Sequence, residues 1–234
     1  MTTTLIVVLI VSAALLIGAA WGLWGGQHEK AEGFFMALAG GALLVSVVSE
    51  LVEPSIAASN LWVSCAGLAG GAVMFAFIDY LIDEKWAAAK GSGLLAAITL
   101  DGIPENLALG VALIGAGAPE VAALAGSILL SNLPEAASGA RQMRDGGLGK
   151  ARIMGLWLAT TVLLAGAAMG GNMLLVGASE HVLALIRCIA AGAVVASLAT
   201  EVFPEAFKED RHWAGVATAL GVILALGLGE LGAG

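Results

Sequence analysis

Eight runs of about twenty apolar residues follow one another along this 234-residue chain, joined by links too short to hold a separate domain. They cover roughly 4–24, 33–52, 61–82, 93–115, 120–140, 151–176, 182–203 and 213–231. Coiled as a helix, a run of that length matches the hydrocarbon thickness of a bilayer. Nothing in a bilayer core hydrogen-bonds an open backbone, so each run has to close its own bonds as a helix. The chain is 59% hydrophobic and 12% charged, about half the charge of a soluble domain. The expectation is one all-α integral membrane domain over residues 1–234, multi-pass in the cell membrane. The leading "MTTT" lacks the positive flank of a signal peptide, so the first run is read as a retained helix.

Ten basic residues fix an orientation. Lys30 lies in the first link, Lys85 and Lys90 in the third, Arg141, Arg144, Lys150 and Arg152 in the fifth, and Lys208 and Arg211 in the seventh. With eight spans, the positive-inside rule puts odd links in the cytoplasm and both termini outside. The exception, Arg187, falls inside the seventh run and needs a carboxylate partner in the outer half. Glu53, Glu120, Glu180 and Glu230 leave the outer face negative, which raises local cation concentration. A net charge of -8 argues against nucleic acid as a partner. Cys65 and Cys188 both fall inside runs without CxxC spacing, and there they act as small apolar residues.

The sequence repeats internally. "AGGALLVSVVSELVEP" (39–54) aligns with "AAGAVVASLATEVFPE" (190–205), pairing Ala42 with Ala193, Ser46 with Ser197 and Glu50 with Glu201. The second and seventh spans run in opposite directions, so the repeat is inverted, a construction common in secondary transporters. "LDGIPENLALG" (100–110) likewise matches "LSNLPEAASGA" (130–140), and both motifs fall near the bilayer midplane.

These paired motifs carry the chemistry. Asp101 and Glu105 are four apart and share a helix face, as do Ser131 and Glu135. Pro104 and Pro134 each delete a backbone N–H and push away the carbonyl four residues earlier, that of Leu100 and of Leu130. Carboxylates facing one another at low dielectric stay ionised only with a cation between them. The candidate metal ligands are therefore Asp101, Glu105, Ser131 and Glu135 at the midplane, with Ser46, Glu50 and Glu201 along the path. Glu201 and Glu205 form a candidate exit relay. Every midplane donor is oxygen, which suits manganese or ferrous iron at least as well as zinc. Protons compete for such a site, so uptake is expected to fall below about pH 6.

The Pro-Glu helices and the eight-span layout resemble the ZIP family of divalent-metal transporters over essentially the whole chain. The resemblance implies a three-two-three arrangement with inverted outer triplets, and metal as cargo rather than cofactor. In the family motif, Asp101 takes the place of a His, Gly102 of an Asn, Ser131 of a His or Gln, and Asn132 of the next ligand, while Glu105 and Glu135 keep the Glu. The sixth span offers Thr160, Thr161 and Asn172 but no carboxylate, so the family's two-metal centre lacks one of its ligands here.

Asp79, Asp83, His181 and His212 read as interfacial, and His28, Glu29 and Glu32 as a weak metal-holding group in the first link. The metal ion and the lipid bilayer are the expected partners, and a second copy of the chain is a further candidate. Two other classes compete. A membrane enzyme lacks Gly-x-Gly-Asp, His-Glu-x-x-His and any Ser/His/Asp set at membrane depth. A proton-coupled carrier of an organic solute would use the same carboxylates as proton sites. The chain is therefore expected not to be an enzyme.

Overall fold

The computed structural model describes residues 2–25, 29–86, 92–116 and 121–232, with no description of the side chains at 29, 83–86, 92–98, 101 and 231–232. Among the described residues the structure is all helix: α1 (Thr2–Trp24), α2 (Glu29–Val47), α3 (Glu53–Ala58), α4 (Leu61–Trp86), α5 (Ser92–Ala112), α6 (Ala122–Asp145), α7 (Lys150–Leu175), α8 (Glu180–Ser197), α9 (Phe203–Glu209) and α10 (Ala214–Gly232). Two π-helical turns, Val48–Val52 and Leu198–Val202, join α2 to α3 and α8 to α9. The ten helices thus make eight rods, one for each apolar run. The rods overrun the apolar boundaries: α2 begins at Glu29 rather than near 33, and α6 continues to Asp145 rather than stopping near 140. Arg141 therefore lies within a helix and not in a link.

Both π turns have the same cause. Pro54 and Pro204 cannot donate a backbone hydrogen bond, and a proline ring collides with the carbonyl four residues back. In each rod the residue before the proline reaches five back instead, Glu53 N–H to the Val48 carbonyl and Phe203 N–H to that of Leu198. The extra residue in the turn relieves the collision without ending the rod.

Five described helical segments are long and apolar enough to cross a membrane: Thr2–Trp24, Lys30–Ala58, Leu61–Ile82, Lys150–Leu175 and Glu180–Glu209. Ala214–Glu230 is equally apolar in kind but shorter. The middle helices α5 and α6 are the ones that carry the Pro-Glu motifs, and they gain their cover from neighbours. Their packing follows one rule. α6 lies against α1 and α2, while α5 lies against α7 and α8. α10 packs on α2, and α4 packs on α8. Outside this core, Leu9, Val73, Val162, Leu174 and Ile223 point outward and are exposed. So much apolar surface calls for lipid as its neighbour.

Glycines set how close these helices come. A Cβ at Gly41 would run into the Thr218 carbonyl, and one at Gly221 into that of Leu38. The second seam repeats the first: Gly192 meets the Leu68 carbonyl and Gly71 that of Ile189. Adding 151 carries Gly41 to Gly192 and Leu38 to Ile189, and adding 150 carries Gly71 to Gly221 and Leu68 to Thr218. The internal repeat is therefore a repeat of contacts as well as of letters. Close backbone approach through small residues is how helices gain packing energy where lipid removes the hydrophobic drive.

Candidate functional site

Pro104 and Pro134 sit inside continuous helices, α5 and α6, and the residues around them are drawn to the middle of the bundle. Glu105 is buried at 3% exposure, and Asn106 beside it donates from Nδ2 to the Gly102 carbonyl at 2.9 Å. Glu135 on α6 is half-buried. Glu105 and Glu201 both lie close enough to Glu135 for their charges to act on it. Carboxylates from α5 and from the π turn between α8 and α9 thus each lie within electrostatic range of Glu135 on α6.

Glu135 also lies at the head of a cavity of about 290 Å³. One wall is Glu135, Ser138, Gly139 and Gln142; the facing wall is Glu201, Pro204, Glu205 and Lys208. Each set runs i, i+3, i+4, i+7, the stripe that a helix presents on one face. At the mouth, Lys208 Nζ lies 3.2 Å from Glu205 Oε2, with the lysine side chain 70% exposed. The cavity therefore opens at the end of the bundle where the basic links gather.

The other anticipated ligands divide. Ser46 Oγ donates to the Ala42 carbonyl at 3.0 Å and lies 3.1 Å from Ser127 Oγ, joining α2 to α6. Glu50 accepts the Leu124 backbone N–H at 2.8 Å, so it caps the first turn of α6. Ser131 donates to the Ile128 carbonyl at 3.1 Å, and Asn132 donates from Nδ2 to the Val11 carbonyl at 3.2 Å. All four serve helix contacts in this conformation, apart from the Glu105–Glu135–Glu201 group. The Asp101 side chain lies outside the described set. Gly102 faces α7, where a Cβ would meet the Leu164 side chain, so a residue as large as Asn would require that side chain to move.

The sixth-span groups are also engaged. Thr161 donates to the Trp157 carbonyl at 2.8 Å, Asn172 donates to the Gly110 carbonyl at 3.0 Å, and Thr160 Oγ1 stands 3.5 Å from that of Thr99. Glu32 does not belong to a metal-holding group in a link. It lies in α2 at 1% exposure and forms a buried ion pair with Arg141 of α6. His28 and the side chains of Glu29 and Asp83 lie outside the described residues; His181 and His212 are exposed and Asp79 is half-buried.

Among the described residues, no three His, Cys, Asp or Glu side chains converge tightly enough to form a ready-made metal cage. Compared with known proteins, the chain matches no family model and no curated relative. Sequence reasoning missed Ser138, Gln142, Thr200 and Lys208 as cavity-lining residues. The signal was there: starting from Glu135 and from Glu201, the helical stripe names three of the four, and Thr200 adjoins Glu201.

Proposed function

We propose that this chain carries a divalent metal cation across the membrane by alternating access, with Glu105, Glu135 and Glu201 as its carboxylate ligands. In this reading all eight rods span the bilayer, the two outer triplets are inverted copies, and both termini lie outside, as the basic residues and the ZIP resemblance argue. The observation that carries it is that Glu135 and Glu201 line one cavity, with the buried Glu105 within electrostatic range of Glu135, and that this cavity opens at the end of the bundle rich in basic residues. A buried cluster of like charge is costly without a cation. An open spacing between the carboxylates suits a carrier: the ion draws them in on binding, and their repulsion helps to release it.

No covalent step is involved, and the metal is cargo. The donors are oxygens, so manganese and ferrous iron are expected to travel at least as well as zinc. Glu201 would hand the ion from the Pro-Glu pair down the Glu201–Lys208 wall to the cytoplasm, with Glu205 as the next acceptor. Proteoliposomes containing the purified protein test the reading through uptake of manganese, iron and zinc. The parent takes up metal, while Glu105→Gln and Glu135→Gln each lose at least about tenfold in rate and remain folded. Normal uptake by both variants would make the carboxylates structural and defeat the reading.

A further inference from the structure

A second cavity, of about 280 Å³, lies under residues 114–116 at the opposite end of the bundle. Glu50 and Arg187 both line it, from α2–α3 and α8 respectively. One Glu50 oxygen is taken by Leu124 N–H, but its Oε2 is buried with no hydrogen-bond partner, and so is Arg187 Nε. Two groups of opposite charge thus face one cavity, each with an unused polar atom. Leaving such atoms dry is expensive, so the pair is built to share something small and polar between them.

The repeat says what this cavity is. Adding 151 carries Ser49 to Thr200 and Glu50 to Glu201, and adding 30 carries Ala112 to Gln142; in each case both residues line their respective cavities. The second cavity is therefore the register counterpart of the one below Glu135. The same rule identifies the counterpart of Arg187. Subtracting 151 gives Met36, which lines the other cavity. The fold thus accepts an apolar side chain at this place, and packing does not call for a guanidinium here. A charge the scaffold does not need, set in an apolar span, marks function.

We propose that this cavity is the entry vestibule, and that Arg187 is its specificity-determining residue: a fixed positive charge that lines the same cavity as Glu50 and sets how strongly a divalent cation is admitted. The inference rests on the reading of the chain as a cation carrier. An entering ion meets the unpartnered Glu50 Oε2 while facing the guanidinium, so cations that bind weakly to carboxylate are turned away. At an effective dielectric of about 20, one charge at the far side of such a cavity changes divalent binding by at least about tenfold.

The test has two arms, both in right-side-out proteoliposomes. The first places Ala116→Cys at the cavity rim in a Cys65→Ser background and compares its reaction rates with a cationic trimethylammonioethyl and an anionic sulfonatoethyl methanethiosulfonate. Arg187→Gln raises the cationic-to-anionic rate ratio about tenfold, and Arg187→Lys leaves it near the parent's. Glu50→Gln moves it the other way, which keeps the arm decisive if Arg187→Gln fails to fold. The second arm measures manganese uptake: Arg187→Gln lowers KM about tenfold and Arg187→Lys does not. An unchanged rate ratio overturns the vestibule assignment. So does Arg187→Lys behaving like Arg187→Gln, which would assign Arg187 a purely steric role. A shifted ratio with unchanged KM overturns the specificity role. A parent that takes up no manganese overturns the carrier reading, and the labelling arm does not depend on that outcome.

Discussion

Glu32→Ala breaks the buried ion pair between α2 and α6. The Glu32 side chain is 2% exposed and that of Arg141 is 8% exposed, so water screens neither charge. Removing the carboxylate leaves a buried guanidinium without its counter-charge, which costs about 3–5 kcal/mol. Replacing both partners by leucine removes charge and desolvation cost together, and stability is expected to return to within about 1 kcal/mol of the parent. By contrast, Lys208→Ala breaks a pair whose lysine is 70% exposed, and it is expected to cost less than about 1 kcal/mol. Unfolding in mixed micelles, followed through the chain's six tryptophans, measures all three variants against the parent. A Glu32→Ala cost below about 1 kcal/mol, or a double variant no better than the single, would refute the claim that burial governs this pair.

Cysteines introduced singly at Ala57 and Ser179, in a Cys65→Ser background, label from outside intact cells, while those at Gly146 and Glu209 do not; the reverse pattern would invert the bundle. Gly41→Leu and Gly192→Leu each destabilise by at least about 1–3 kcal/mol, whereas Gly70→Leu, which meets no atom within 4 Å, stays close to the parent; thermal unfolding in micelles separates them. Ser131 is fully buried, so imidazole is best introduced at Asp101: Asp101→His raises zinc over manganese severalfold in competitive uptake, and an unchanged ranking would mean that donor softness at this position does not set selectivity.

The eight rods were legible because hydropathy and length alone determine them. The basic ends of α2 and α6 were not, because a helix can run past the apolar core once its charges find partners. Glu32 and Arg141 are 109 residues apart, and no local pattern links them. The two Pro-Glu motifs pointed to Glu105 and Glu135, and matching depth on neighbouring helices places them within electrostatic range of one another. Glu201 followed from the repeat. Its counterpart Glu50 does not join them here, because the first turn of α6 competes for its carboxylate. Ser131 and Asn132 looked like ligands by spacing, but in a tight bundle a short polar side chain finds a backbone carbonyl first. Pro54 and Pro204 stand in the sequence, but a proline can end a helix, kink it or be relieved by a π turn, and the letters alone do not choose among these.

The seams between α2 and α10 and between α4 and α8 have a consequence for how the molecule is made. The face of α2 around Gly41 fits the last helix of the chain, which leaves the ribosome more than 160 residues later. At roughly 5–20 residues per second, α2 waits on the order of ten seconds or more for its mate. The face of α4 around Gly71 waits in the same way for α8. During that interval lipid tails, or a membrane-insertion chaperone, fill both grooves. Synthesis stopped near residue 212 would leave the α2 groove open for good, and such a chain should be recognised and degraded even though its Pro-Glu helices are already in place.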